Sequence, residues 1–298
     1  MSDSAQMLLI GVDGGGTGCR AAIGTLSGGI AARAEGGRAN AASDPDLAVE
    51  NIVMTVKAAA AKANLDESAL ENAVAHLGLA GVMTADDSRR IATALPYKSS
   101  VVTDDRPTAV TGALGGNDGF LLSVGTGTIV AGSNGGTFGY VGGWGFHVAD
   151  QGSGAWLGRA GLEQVLLCHD GLADHSDLTR ALFAGFNDDP NAIVSFSMSA
   201  KPGDFGALAP AIVTAAEQGD TWAQELMARG ADYLLRGLLV LGFEPGNALC
   251  LTGGVGPCYA RYLPPDALSG QIKSRGTALD GAYYLAKSSL AETRSSTT

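Results

Sequence analysis

The stretch MLLIGVDGGGTGCRAAIG (residues 7–24) places one carboxylate, Asp13, at the end of an apolar run and follows it with three glycines and a threonine. The apolar segments on either side predict two strands joined by a hairpin turn. A hairpin alone needs fewer glycines, and a glycine-lined turn with free N–H groups can hold phosphate. From this stretch alone, a magnesium–nucleotide site and a simple tight hairpin are equally open.

The composition sets limits on what kind of protein this is. The chain has 298 residues, of which 46% are hydrophobic and 16% charged, and its net charge is −11. This predicts a folded chain of one or two domains, and without a cluster of Lys and Arg no nucleic acid partner is expected. No apolar run is long enough to predict a membrane span, and the N-terminal sequence does not read as a signal peptide. Four cysteines without CxxC spacing favour a reducing compartment, so a cytoplasmic location is expected.

One pattern occurs twice along the chain. An apolar strand, a glycine-threonine turn and a second apolar strand are found near residues 8–25 and again near 119–133. Helices and strands alternate between the two copies, and one helix opens with the capping-box pair Thr84 and Asp87. The second half of the chain is mainly helical. Two such halves predict two glycine turns around one cleft, with a boundary near residue 108.

The second turn repeats the chemistry of the first. In SVGTGT, Thr126 lies between Gly125 and Gly127. A third glycine pair follows the apolar stretch CLT, in TGG at 252–254, where a flat base could approach the backbone. Each of these turns alone is equally typical of an ordinary connection, but several of the same kind favour phosphate and nucleotide binding.

A pair of carboxylates follows the strand VVT. Asp104 and Asp105 stand at the carboxyl end of that strand, where open α/β sheets usually build their sites. Because successive side chains on a strand point to opposite faces, we expect Asp104 to face the cleft. Asp105 is then expected to cap the helix that begins near Pro107.

The loop GGWGFHVAD, residues 142–150, places Trp144 among glycines and ends in Asp150. An aromatic ring held this way could lie against a sugar, with Asp150 binding hydroxyl groups, although a purely structural tryptophan is the common alternative. The four histidines show no metal-ligand spacing and are interpreted as core or surface residues.

These five stretches together resemble the BadF/BadG/BcrA/BcrD ATPase family of the actin, Hsp70 and sugar-kinase superfamily, over essentially the whole chain. Within it, the N-acetylglucosamine and glucosamine kinases are the most similar. The resemblance implies an α/β fold of two ribonuclease-H-like lobes with an interlobe active-site cleft. The expected lobes are residues 1–108 with 276–298, and residues 109–275.

The activity implied by the resemblance is ATP-dependent phosphorylation of the 6-hydroxyl of an amino sugar. N-acetylglucosamine is the first expectation and glucosamine the alternative, with ATP and Mg²⁺ as cofactors and a homodimer as the assembly. Asp104 is the implied catalytic base and Asp13 the implied metal ligand. The residues implied to bind ATP are Gly14, Gly15, Gly16, Thr17, Gly125, Thr126, Gly127, Gly253 and Gly254. The residues implied to bind the sugar are Asn40, Asp104, Gly143, Trp144, Gly145 and Asp150.

Two positions depart from the family pattern. Asp105 stands beside Asp104 where the family usually has a small residue, which leaves the choice of base between these two carboxylates open. Phe146 stands where the mammalian-type enzymes carry a histidine, so the resemblance leaves the recognition of the 2-substituent open. Two other classes are also considered. An ATPase activator of radical dehydratases would need closely placed cysteines for an iron–sulfur cluster, and Cys250 and Cys258 are the nearest pair. A non-enzymatic ATP switch of the actin or Hsp70 type would need a surface for a peptide or a filament.

Overall fold

The computed structural model describes residues 7–295 of the chain. These residues form two compact units, which we call unit 1 (residues 7–118 and 274–295) and unit 2 (residues 119–273). Within the described residues, no helix combines the length and the apolar composition needed to cross a membrane.

Unit 1 is built on a five-stranded sheet of order β3-β2-β1-β4-β5. Its strands are β1 (Leu8–Gly14), β2 (Cys19–Thr25), β3 (Gly29–Gly36), β4 (Val74–Leu79) and β5 (Ser99–Thr103). The first three are antiparallel, as the hairpin pattern predicts, and β4 and β5 run parallel to β1. Its helices are α1 (Pro45–Lys62), α2 (Ala85–Ala94), α3 (Asp105–Leu114) and α10 (Ala278–Ser295), with a short 3-10 helix at Glu67–Asn72.

Both faces of β1 are covered, which explains its nearly continuous apolar sequence. Ile10 and Val12 are fully buried in the cluster that includes α1, whereas Leu9 belongs to the cluster formed with α10. Because successive side chains of a strand point to opposite faces, β1 contributes residues to two separate hydrophobic clusters. Asp13 is the penultimate residue of this strand, so its carboxylate is carried by an element that is packed on both faces.

The division between the units differs from the predicted boundary. Residue 108 lies inside α3, and the structure keeps that helix whole and in unit 1. The physical reason is packing, because α10 lies along α3 and returns the end of the chain to the first sheet. The capping box that opens α2, from Thr84 to Asp87, is confirmed.

Unit 2 repeats the same strand order around a second sheet, β10-β9-β6-β7-β8. Its strands are β6 (Gly119–Val124), β7 (Thr128–Asn134), β8 (Thr137–Gly142), β9 (Leu249–Thr252) and β10 (Gln271–Ile272). Its helices are α4 (Gly154–His169), α5 (Asp177–Ala184), α6 (Pro190–Ser199), α7 (Pro202–Gly206), α8 (Ala209–Glu217) and α9 (Thr221–Val240), and a 3-10 helix spans Gly256–Arg261. Each unit thus has three antiparallel strands followed by two parallel ones, and the predicted α/β fold of two ribonuclease-H-like lobes is confirmed.

Candidate active site

Asp13 and the turn after it form the first part of the candidate site, in unit 1. Across the hairpin, Asp13 pairs with Arg20, and their Oδ2 and Nη1 atoms are 3.9 Å apart. Burial raises the pKa of Asp13, and the Arg20 guanidinium opposes that shift only in part. The Gly15 N–H donates to the Gly18 carbonyl at 2.9 Å, which closes the turn. Gly16 and Thr17 are exposed at its tip, where phosphate oxygens could reach them.

The two carboxylates after β5 have different environments from those predicted. Asp104, not Asp105, is the N-cap of α3, since its Oδ1 accepts the Arg106 backbone N–H at 2.9 Å. The Arg106 guanidinium also donates to both Asp104 oxygens, at 2.7 and 3.0 Å. The expectation that Asp105 caps the helix is therefore wrong. The helix begins at Asp105, earlier than predicted, because Pro107 is accommodated as the third residue of its first turn, where no N–H is required of it.

These contacts separate the two carboxylates chemically. Burial tends to raise the pKa of Asp104, but the hydrogen bonds and charge of Arg106 outweigh it and hold that pKa below its ordinary value. Burial raises the pKa of Asp105, and the negative charges of Asp104 and Asp13 raise it further. Unlike Asp104, Asp105 keeps a raised pKa, because the positive charge of Arg106 offsets only part of these effects.

Asn40 lies in the loop before α1, in unit 1. Its side-chain oxygen accepts the backbone N–H groups of Ala42 and Ser43, each at 3.0 Å. That local turn fixes the side chain, so the amide NH₂ group is the part of Asn40 that a ligand hydroxyl could use.

The second glycine-threonine turn connects β6 to β7 in unit 2. The Gly125 N–H donates to the Gly127 carbonyl at 2.9 Å, which closes this turn. The carbonyls of Gly125 and Thr126 accept the N–H groups of Gly154 and Ala155, at 2.7 and 3.3 Å. The start of α4 therefore holds the turn in place.

The third glycine pair follows β9 at the floor of a cavity. Gly253 has a φ of +83°, and a Cβ there would lie 2.2 Å from the Val124 carbonyl oxygen, so only glycine fits. A cavity of about 520 Å³ opens beside it and is largely apolar. Its lining combines the glycine turns with α8, which the sequence did not single out: Gly125, Thr126, Gly154, Gly206, Ala209, Pro210, Val213, Thr214, Gly254, Val255 and Cys258. Flat apolar walls beside a glycine turn are suited to an adenine ring followed by phosphates.

The loop between β8 and α4 presents Asp150 and Trp144. Asp150 is buried, has a φ of +63°, and accepts the Gly145 N–H at 3.2 Å through its Oδ1. Burial raises its pKa, with the Gly145 hydrogen bond opposing the shift. A non-glycine residue held in the left-handed region costs free energy, which is typical of residues placed for a function.

Trp144 is 78% exposed, so its ring does not pack in the core of the unit. Phe146, by contrast, is buried. The centre of its ring lies 4.9 Å from the centre of the Phe205 ring and 5.5 Å from the Arg159 guanidinium. The side chain of Phe146 anchors the loop to unit 2, and only its backbone is available to a ligand. Gly143 and Gly145, on either side of Trp144, both have positive φ and hold the ring away from the body of the unit.

Comparison with known proteins gives the family. The model of the BadF/BadG/BcrA/BcrD ATPase family matches residues 10–266. The chain belongs to this family. The glucosamine kinase GspK from Vibrio cholerae serotype O1 is 32% identical to this chain over 278 residues. The similarity covers 93% of this chain and 95% of GspK.

Solved structures show the same relationship. A crystal structure from Chromobacterium violaceum, of a protein provisionally assigned as an N-acetylglucosamine kinase, is 30% identical with a TM-score of 0.83. The similarity covers 95% of this chain and 99% of that one. A glucokinase of the ROK family from Streptomyces griseus, solved with glucose and AMPPNP, is 19% identical with a TM-score of 0.54, over 94% of this chain and 99% of that one. The glucokinase shares the fold.

Proposed function

We propose that the protein is an ATP-dependent kinase that phosphorylates the 6-hydroxyl of an amino sugar. N-acetylglucosamine is the substrate we place first, and glucosamine is the alternative that the 32% identity to GspK supports. The observation that carries the proposal is the glycine-threonine turn found in each unit, with the apolar cavity beside Gly254 in unit 2 and carboxylates at the ends of β1 and β5 in unit 1. Phosphoryl transfer to a hydroxyl needs one carboxylate to accept a proton and another to hold a cation.

In this proposal Asp105 accepts the proton of the sugar hydroxyl. A carboxylate whose pKa is raised by burial and neighbouring charge is a stronger proton acceptor than one clamped by a guanidinium. The resemblance to the family implies this role for Asp104, and the hydrogen bonds that Asp104 accepts from Arg106 are what argue against it. Asp104 then serves as the cap that fixes the first turn of α3, and with it the backbone of Asp105.

Asp13 is the proposed metal ligand. Asp13 stands beside the exposed turn at the end of β1, and a carboxylate oxygen is a ligand that Mg²⁺ prefers, so this residue fits the ion. The described residues hold no cluster of three or more His, Cys, Asp or Glu side chains, so water and phosphate oxygens would complete the coordination. Bound with ATP, that ion would neutralise charge on the phosphates. The N–H groups of Gly16 and Thr17 are proposed to bind phosphate oxygens, and their exposed position supports this.

Unit 2 supplies the other ligand contacts of the proposal. The apolar cavity beside Gly254 is proposed to hold adenosine, and the turn at Thr126 to contact its phosphates. Asp150 is proposed to bind sugar hydroxyls through a carboxylate that Gly145 positions. Trp144 is proposed to offer its ring to the sugar, together with the amide of Asn40 from unit 1.

A coupled ADP-release assay across glucosamine, N-acetylglucosamine, N-acetylmannosamine and glucose tests the proposal. We expect slow ADP release with ATP and Mg²⁺ alone and a marked acceleration by at least one of the amino sugars. Turnover that is the same with and without every sugar would contradict the kinase assignment.

A further inference from the structure

A second cavity in unit 2 lies outside the groups assigned so far. It has a volume of about 620 Å³ and lies against one face of α9. Its principal lining side chains are Gln151, Trp156, Arg229, Asp232, Tyr233 and Arg236. The four residues from α9 follow the spacing i, i+3, i+4 and i+7, which places them on one face of that helix.

This cavity adjoins the loop that carries Asp150. Tyr233 makes the connection, because its hydroxyl packs against Gly142, where that loop begins. A Cβ on this glycine would lie only 2.6 Å from the Tyr233 hydroxyl oxygen. Burial raises the pKa of Tyr233, and the charge of Asp150 raises it further, so the phenol lies within electrostatic reach of that carboxylate. Gln151 follows Asp150 directly in the chain. A ligand at Asp150 therefore has this cavity as its neighbour.

The charge of the lining is positive in a chain of net charge −11. Arg236 is paired with Asp232 at 3.6 Å (Nη1 to Oδ2), so those two charges offset each other. The Arg229 guanidinium instead lies over Trp156, 5.6 Å from the ring centre. Stacking on an aromatic face leaves the edge of a guanidinium, with its N–H donors, directed away from the ring. Such an edge binds carboxylate and phosphate oxygens in pairs.

We propose that this cavity binds the anionic group of a saccharide, as a carboxylate or a phosphate ester, with Arg229 as the principal anchor. The inference rests on the proposed function in one respect, the assignment of Asp150 to sugar binding. Trp156 and Tyr233 give the ring flat and hydroxyl-bearing walls, and Gln151 gives it a further amide. The anion has two possible sources: an acidic substituent on the sugar substrate itself, or a separate sugar phosphate such as the product of the reaction.

Equilibrium binding tests the proposal without depending on catalysis. Isothermal titration calorimetry is carried out with N-acetylglucosamine 6-phosphate, N-acetylmuramate, neutral N-acetylglucosamine and inorganic phosphate. The proteins are the full-length wild type, the double variant Arg229→Gln/Arg236→Gln, and Arg180→Gln, a matched control on α5 outside the cavity. We expect the double variant to bind an anionic saccharide about tenfold or more weakly, since a charge-assisted contact is lost. Binding of the neutral sugar should be unchanged.

Comparing N-acetylmuramate with N-acetylglucosamine 6-phosphate identifies the source of the anion. A loss confined to N-acetylmuramate, with a matching rise in its KM as a substrate, supports an acidic substituent on the substrate. A loss confined to the 6-phosphate supports a separate sugar phosphate. Equal weakening of neutral and anionic sugars, equal affinity for inorganic phosphate and the sugar phosphate, or no effect of the double substitution each overturns the proposal. Absence of kinase activity while the arginine-dependent binding persists would count against the proposed function alone.

Discussion

At the scale of single residues, the acidic pair at the start of α3 gives the sharpest prediction. We expect Asp105→Asn to lower kcat by about 10²- to 10⁴-fold, the usual contribution of a positioned base, with little change in melting temperature. Asp104→Asn should instead lower the free energy of unfolding by up to about 1 kcal/mol, because the charge of the Arg106 pair is lost while the amide oxygen can still cap the helix. The measurements are kcat at saturating sugar and Mg-ATP, and thermal melting of both variants.

The two variants serve as controls for each other, since they remove one carboxylate each from neighbouring positions. Loss of kcat in Asp104→Asn at an unchanged melting temperature would return the base to Asp104, as the sequence predicts. Full activity of both variants would mean that neither carboxylate accepts the proton.

Trp144 gives a second prediction at this scale. Because its ring is 78% exposed, truncation opens no cavity in the core, and we expect Trp144→Ala to leave the melting temperature nearly unchanged. The KM for the sugar should rise while the KM for ATP stays the same. Val148→Ala is the matched control, because Val148 is 79% exposed in the same loop. A fall in stability, or an equal rise in both KM values, would contradict the assigned role.

The sequence identifies the types of residues in the site better than their individual roles. Asp13 and the acidic pair are found because glycines and carboxylates at strand ends have few structural explanations. Which of Asp104 and Asp105 caps the helix depends on whether Pro107 is its third or its second residue, and proline is tolerated at both because the first turn has no intrahelical partners for its N–H groups. Tyr233 is missed because an aromatic residue in the amphipathic α9 reads as core, and only the folded structure brings it to Gly142.

At the scale of secondary-structure elements, local sequence patterns predict the antiparallel hairpins of the two sheets, whereas they do not predict where α10 packs. A Cβ on Gly112, in α3, would lie 1.9 Å from the backbone oxygen of Thr277, just before α10. The contact joins segments far apart in sequence, so no local signal announces it.

We therefore expect Gly112→Ala to lower the free energy of unfolding by about 1–3 kcal/mol or more, because backbone must move to admit the methyl group. Gly203→Ala is the control, since a Cβ on Gly203 in α7 would meet open space. It should be neutral or slightly stabilising. Denaturant unfolding of both variants measures the difference, and equal stability of the two would contradict the close packing of α3 and α10.

His76, in β4, gives a prediction about pH. Its Nε2 lies 3.3 Å from the Thr103 hydroxyl, which itself donates to the Asp104 carbonyl at 2.8 Å. His76 therefore acts as the Nε2–H donor, and among the described residues its Nδ1 has no partner. Burial lowers the pKa of His76 from 6.5 to about 4, so the neutral ring is the folded form.

Because the pKa of His76 is lower in the folded chain than in the unfolded chain, protonating this ring lowers the free energy of unfolding. The contribution of the neutral ring to stability is therefore complete above about pH 6.5 and is lost as the pH falls toward 4. The loss amounts to about 3 kcal/mol at most. Denaturant unfolding between pH 4 and pH 7 should show this slope in the wild type and a smaller slope in His76→Gln, which cannot titrate. An identical pH slope in both proteins would exclude His76 as its source.

At the scale of the whole molecule, the groups proposed for one reaction come from both units. Unit 1 contributes Asp13 at the end of β1, and unit 2 contributes the adenosine cavity beside Gly254. The internal repeat predicts this division, because both sheets place a glycine-threonine turn after their first strand. Binding of Mg-ATP should have two energetic contributions that substitutions can separate, one from the base and ribose and one from the metal and phosphates.

We expect Asp13→Asn to remove the second contribution and leave the first. The variant should bind adenosine as the wild type does, while its affinity for Mg-ATP falls by about tenfold or more and sugar phosphorylation falls with it, because a neutral amide is a poor magnesium ligand. Calorimetry with adenosine, ATP and Mg-ATP measures the two parts, and Asp46→Asn, an exposed carboxylate in the first turn of α1, is the control. If adenosine and Mg-ATP lose affinity equally and the melting temperature drops, Asp13 acts through its ion pair with Arg20 to hold the hairpin. In that case the metal ligand must be sought in the acidic pair at the start of α3.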